Sequence, residues 1–204
     1  MICNFYKVVF RRAWTLQSQG KMAKSSKKNI IVLGGSYGGV STAHYVLKHA
    51  LPKLPDATAY QVILASASSE IFCRPTAPRA LLSDDMFPQD KLFVPIATAF
   101  AQYSDDAFRF LQGTVTQVDH LKRTVSFALH PAGTSETMPF HALVIATGAS
   151  TPSPLHSLTS TSDNLRASWA SFREALPKAK TIVIAGGGPA GVETAGELGE
   201  VGFS

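Results

Sequence analysis

A chain of 204 residues with 45% hydrophobic content has room for one domain with a sizeable core, or a little more. Its formal charge of +5 suggests a nucleic-acid or membrane partner only until the charges are located, because Lys7, Arg11, Arg12, Lys21, Lys24, Lys27 and Lys28 carry seven of them within the first 28 positions and no acid stands among them. The remainder holds 12 basic against 14 acidic residues, a net of −2, so nucleic acid is not expected as a partner of the folded part.

The basic leader, residues 1–28, combines arginine, lysine and aromatics without acids. It reads either as a mitochondrial transit peptide or as an upstream extension ahead of a cytosolic start at Met22. The first folded stretch is NIIVLGGSYGGV, from Asn29 to Val40. Ile30 to Leu33 make the short apolar run of a strand buried on both faces, and a glycine cluster follows directly. Beyond it Val40, Ala43, Val46, Leu47 and Ala50 recur at three and four, one face of a helix. Strand, glycine turn and helix begin a βαβ unit whose helix N-terminus suits a pyrophosphate. Against G-x-G-x-x-G the outer positions are Gly34 and Gly39, with Ser36 in the middle place and Gly35, Tyr37 and Gly38 completing the turn.

Lys48 and His49 close that helix and Pro52 and Pro55 stop it. Tyr60 to Leu64 is the second strand. Its end presents Ala65 and Ser66 where an acid usually meets a ribose diol, so a neutral hydrogen bond from Ser66 is expected there. A proline-punctuated loop, EIFCRPTAPRALL, carries Arg74 and Arg79 into a helix over residues 70–82. Pro95 to Tyr103 reads as a short helix, and Val115 to Val118, Thr124 to Leu129 and Met138 to Ile145 as strands. Residues 149–163 are rich in Ser, Thr and Pro and form a boundary loop. Leu165 to Leu176 is a helix, after which TIVIAGGGPAGVETA repeats the opening pattern with the complete motif Gly186, Gly188 and Gly191. Two such turns in one chain point to two dinucleotides, a flavin and a nicotinamide.

The expected organisation is a leader over 1–28, a Rossmann-like α/β domain with a β-meander over 29–150, a linker and helix over 151–178, and the first β-α of a second Rossmann-like domain over 179–204. Two cysteines, Cys3 and Cys73, make no redox pair by spacing. Six histidines are scattered without ligand spacing, so no metal site is expected. No apolar run approaches the roughly 18 residues of a membrane span.

These motifs resemble the two-dinucleotide flavoproteins of the pyridine nucleotide-disulfide reductase superfamily, and within it the apoptosis-inducing-factor-like oxidoreductases. The likeness rests on VLGGSYGGVSTAHYVL, APRAL at 77–81, GTV at 113–115, LVIATGA at 143–149 and IVIAGGGPAGVETAGELGE at 182–200. It implies FAD with its pyrophosphate over Gly34, Gly35, Ser36, Tyr37, Gly38 and Gly39, Arg79 near the flavin, and the backbone of Val115 by the adenine. Ala146, Thr147 and Gly148 would close that site. NAD(P)H would lie at Gly186, Gly188 and Gly191, with Glu193 between nicotinamide and flavin as the catalytic candidate. The implied reaction is hydride transfer from NAD(P)H to FAD, then electron transfer to a small quinone-like or other acceptor. In the family a further stretch supplies the rest of the NAD(P)H domain and a second flavin contact, so the chain is expected to be an incomplete form. The alternative is a non-catalytic nucleotide-binding or interaction protein. The location is expected to be the cytoplasm, or the mitochondrion if the leader is a transit peptide.

Overall fold

The computed structural model describes residues 27–150, 153–156 and 161–200. The leader's first 26 residues, part of the boundary loop and the last four positions lie outside them. The described chain forms two compact units, residues 27–69 with 96–148, and residues 70–95 with 149–200.

The first unit is built on a six-stranded sheet. β1 (Lys28–Leu33), β2 (Tyr60–Ser66), β5 (Phe108–Asp119) and β8 (Ala142–Ile145) run parallel, while β6 (Thr124–Leu129) and β7 (Ser135–Pro139) extend β5 as an antiparallel meander. The order is β7-β6-β5-β2-β1-β8. Burial follows the sequence pattern. Ile30 to Leu33 and Val62 to Ala65 are continuous buried runs in the parallel part, whereas β6 alternates and buries Val125 and Phe127 against Met138 of β7. Between β1 and β2 the chain crosses through α1 (Tyr37–Tyr45), which continues through a wider turn over Val46–Ala50. That helix buries Gly39, Ala43 and Leu47. His44, on α1, stacks on Phe100 at 4.0 Å and bonds Tyr103 Oη at 3.1 Å. α4 (Ile96–Ala99) also belongs to this unit.

The second unit pairs β3 (Glu70–Phe72) with β4 (Phe93–Pro95) and packs them with α2 (Ala77–Leu82), α3 (Gln89–Leu92), α5 (Ser162–Ala175) and α6 (Pro189–Glu200). Trp169 of α5 is 1% exposed, tilted against Phe72 and Phe93, and its Nε1 donates to Leu155 O at 2.8 Å. Thr161 caps α5 by accepting from the Asn164 amide.

Several boundaries differ from the sequence reading. The helix expected over Pro95 to Tyr103 is confined to Ile96–Ala99, with Pro95 paired in β4. β5 starts at Phe108 rather than Val115, because Phe108 to Gln112 find ladder partners on β2 that lie far away in sequence. Met138 to Ile145 is two strands, since Phe140 and His141 turn the chain from the meander back to β1. The run Ile182 to Ile184 forms no strand: among the described residues nothing pairs with it, and Val183 is 84% exposed. An apolar run becomes a strand only when neighbours satisfy its amides and cover its side chains.

Candidate functional site: two glycine turns

In the first turn the backbone leaves β1 at Gly34, whose amide donates to Ala65 O at 2.8 Å and whose φ is +112°. A Cβ there would run into the Ala146 carbonyl and approach Thr147 Cα at 3.1 Å. A Cβ on Gly35 would lie 2.6 Å from both Cβ and Oγ of Ser66, and one on Gly39 would strike the Gly34 carbonyl. The ends of β1, β2 and β8 thus meet at this cradle, and side chains are excluded from its floor. Ser36, where the motif has glycine, is the N-cap of α1 with φ −114° and ψ −166°, extended backbone that any residue adopts. Its hydroxyl makes no capping bond to its own helix. The first amide to donate within the helix is that of Val40, to Ser36 O at 2.9 Å, so the amides before it point out of the N-terminal end.

The structure brings together Gly34, Gly35, Ser36, Gly39, Ser66, Ala146 and Thr147, and Tyr37 begins the same helix with its side chain half exposed. Gly148 follows with φ +70° and open space around it. Val115 lies on β5 three residues beyond Gln112, the partner of Ser66, which is about 10 Å further along the strand. Its side chain packs against the sheet core at a register shift opposite β6.

The second turn has the same local form. Gly186 has φ +122°, and a Cβ on Gly191 would strike the Gly186 carbonyl. The Val192 amide donates to Gly188 O at 3.1 Å. Here, however, a Cβ on Gly186, Gly187 or Gly188 would meet nothing within 4 Å. Glu193 is exposed on the first turns of α6.

Arg79 belongs to the second unit. Its guanidinium grips Glu197 of α6, with Nε at 3.0 and 3.1 Å from the two carboxylate oxygens and NH2 at 2.9 Å from Oε1. The hydrogen bond to Glu197, then its charge, raises the Arg79 pKa above its ordinary value. Arg74 is exposed. Glu197 was missed by sequence reasoning; the signal is its position one helical turn beyond Glu193, which puts both carboxylates on one face of α6. Cys73 is the one cysteine among the described residues, and there no group of three or more His, Cys, Asp or Glu is placed to hold a metal ion.

A parallel sheet whose strand ends form a glycine cradle at a helix N-terminus, followed by a second turn of the same form, defines a dinucleotide-binding α/β protein. The chain belongs to the pyridine nucleotide-disulphide oxidoreductase family, whose family model matches residues 28–203. It is 61% identical over 176 residues to oxidoreductase phnG of Penicillium herquei, covering 86% of this chain and 42% of that protein. It is 33% identical over 122 residues to the FAD-dependent oxidoreductase FVFD30 of Flammulina velutipes, covering 59% and 36%. Apoptosis-inducing factor 1 of Saccharomyces cerevisiae is 26% identical over 171 residues, covering 84% and 40%. The chain therefore spans less than half the length of these relatives. Among solved structures, the water-forming NADH oxidase of Lactobacillus brevis bound to NADH shares the fold, with a TM-score of 0.60 at 18% identity over 86% of this chain and 38% of that one.

Proposed function

We propose that this chain carries the flavin site and the opening of the nicotinamide site of a FAD-dependent NAD(P)H oxidoreductase. The observation that carries the reading is the cradle at Gly34, Gly35 and Gly39, where side chains are excluded from the end of a helix that offers amides to a pyrophosphate. FAD, when bound, supplies hydride acceptance from NAD(P)H and electron delivery to an acceptor.

The chain's own residues bind and orient. Amides of Ser36 to Gly39 would hold the pyrophosphate, Ser66 would bond a ribose hydroxyl without adding charge, and Ala146, Thr147 and Gly148 would border the cofactor. Gly186, Gly188 and Gly191 would do the same for NAD(P)H, with Glu193 assigned to the place between nicotinamide and flavin, and Arg79 to the neighbourhood of the flavin, by family likeness. The acceptor we infer is a small quinone-like molecule, in keeping with a chain whose cysteines, Cys3 and Cys73, form no dithiol by spacing.

A second reading is nucleotide binding without turnover by this chain alone. It is favoured by the exposure of Val183 and Ile184, which leaves the second turn without a strand to brace it. The purified protein should be yellow and should oxidise NADH or NADPH with a soluble quinone as acceptor. A folded, colourless protein that ignores added FAD would remove the flavin assignment; a yellow protein without turnover would favour the second reading. Among the described residues no helix is long and apolar enough to cross a membrane. Imaging forms with and without residues 1–21 would separate cytoplasmic from mitochondrial residence.

A further inference from the structure

The N-terminal edge of the six-stranded sheet, opposite the glycine cradle, gathers basic side chains that the proposed chemistry does not use, beside the exposed acids Asp105 and Asp106 that precede β5. β1 runs from Lys28 at this edge to Leu33 beside Gly34, about 17 Å away. Three loops converge on the edge. Lys28 opens β1 with its Nζ 5.0 Å from the Tyr60 ring centre, and His141, just before β8, lies edge-on to the same ring at 5.3 Å. Arg123, at the end of the β5–β6 hairpin, lies over Phe140 at 5.1 Å and donates to the carbonyls of Phe140 and His141. The His141 amide in turn donates to Asn29 O at 2.7 Å.

Lys28, Arg123 and His141 have no carboxylate partner among the described residues. Two neighbouring lysines are partly compensated, Lys27 by Asp106 at 3.8 Å and Lys122 by Asp119 at 3.7 Å. Positive neighbours leave their mark on His141, whose pKa is lowered first by burial and then by the charges of Lys28 and Arg123.

The hairpin tip beside these cations carries one apolar side chain, Leu121. Leu121 is 84% exposed, the joint highest exposure among the large hydrophobic residues that stand out in the described chain. It is held there by design of the turn, not by fraying: Asp119 Oδ1 accepts from the amides of Leu121 at 3.0 Å and Lys122 at 2.9 Å. An exposed aliphatic side chain next to Lys122 and Arg123 in the chain suits a boundary between hydrocarbon and phosphate better than it suits a polyanion such as nucleic acid, which offers no apolar layer. The basic leader joins the body at this same edge, through Lys27 and Lys28. Within its first 14 residues Phe5, Tyr6, Phe10 and Trp14 stand among Lys7, Arg11 and Arg12. Aromatic residues interleaved with arginine and lysine are the composition of segments that lie in a lipid headgroup layer.

We propose that this edge is a docking face for an anionic phospholipid bilayer, with Leu121 entering the interface, Lys28, Lys122 and Arg123 facing the headgroups, and the glycine cradle turned away from the lipid. The proposal does not depend on the flavin assignment. Flotation of the full chain with vesicles of 30% phosphatidylserine in phosphatidylcholine, and with pure phosphatidylcholine, tests it. Binding to the anionic vesicles alone, weakening with added salt, is expected.

The variant Lys28→Gln/Leu121→Ser/Lys122→Gln changes only exposed positions, and its melting temperature checks that it folds. About a fivefold loss of binding is expected for each cation removed, so at least 25-fold for the triple variant. Unchanged binding by the folded variant would assign all lipid affinity to the leader and overturn the proposal. So would equal binding to neutral vesicles, or displacement by duplex DNA at equal phosphate concentration.

Discussion

Gly191 lies against the carbonyl of Gly186 as Gly39 lies against that of Gly34, with φ +122° at Gly186 and +112° at Gly34. The two turns are the same local object in different surroundings. The first is enclosed by Ser66, Ala146 and Thr147, while the second stands open. Six residues with a left-handed glycine at one end and a Cβ-free position at the other therefore suffice to set the turn, and the neighbouring strand ends add the walls.

Alanine substitutions should separate turn geometry from ligand access. Gly39→Ala forces a methyl group into the Gly34 carbonyl, and Gly34→Ala adds strain at positive φ, so each should destabilise the first unit by about 1–3 kcal/mol and abolish flavin retention. Gly188→Ala meets open space and should leave the unfolding free energy within about 0.5 kcal/mol of the parent, while weakening binding of NADH. Urea titration and flavin absorbance of the three variants check this. A destabilised Gly188→Ala would mean the second turn is enclosed in solution.

How far the sequence foretold this follows from what each signal reports. Buried runs and helical period are local, so Ile30 to Leu33, Val62 to Leu64 and the α1 face were legible. Phe108 to Gln112 was not, because its status as a strand depends on β2, some forty residues earlier. The Ile182 to Ile184 run erred in the other direction: its pattern is that of a strand, but pattern supplies no partner. The glycines of both turns were legible for the same local reason, whereas the Arg79–Glu197 pair joins residues 118 apart, and the helical spacing of Glu197 from Glu193 does not name its partner.

Arg79 is open to two roles that variants can separate. Its bidentate bond to Glu197 links α2 to α6, beside the apolar contact of Leu82 with Leu198 and Leu176. If it also reaches the flavin, Arg79→Ala should weaken FAD retention more than Glu197→Gln or Arg74→Ala. Equal losses for Arg79→Ala and Glu197→Gln would assign Arg79 to the helix contact alone. Equilibrium dialysis with FAD gives the comparison, and a charge-reversed pair, Arg79→Glu with Glu197→Arg, should restore the helix contact without restoring a flavin contact.

His44 should make the first unit sensitive to mild acid. Burial holds its pKa below the ordinary 6.5, so as pH falls the unfolded chain takes up a proton before the folded one does. The stability tied to the neutral ring is complete above about pH 6.5 and is lost as pH falls through that value toward the lower folded pKa. His141 and His156 shift the same way, both chiefly through burial. His44→Phe keeps the stack on Phe100, gives up the Tyr103 bond and removes this contribution. The difference in urea midpoint between pH 7.5 and pH 5.5 should therefore shrink in the variant. An unchanged difference would place the acid sensitivity elsewhere.

Trp169 is the anchor of the second unit, and its two functions in the core can be measured apart. The ring is buried against Phe72 at 5.6 Å and Phe93 at 5.8 Å, while its Nε1 satisfies the Leu155 carbonyl at 2.8 Å. Trp169→Phe keeps most of the apolar contact but leaves that carbonyl without its donor, at a cost of about 1–3 kcal/mol. Trp169→Ala empties the site as well and should cost about 3–5 kcal/mol. Because α2 and α5 pack together in this unit, the alanine variant should also loosen the helix that carries Arg79. Hydrogen exchange should therefore rise over residues 77–82 in Trp169→Ala, while the amides of Ile31 to Leu33 and Val62 to Leu64 in the first unit keep their protection. Uniform loss of protection in both units would mean that they unfold as one.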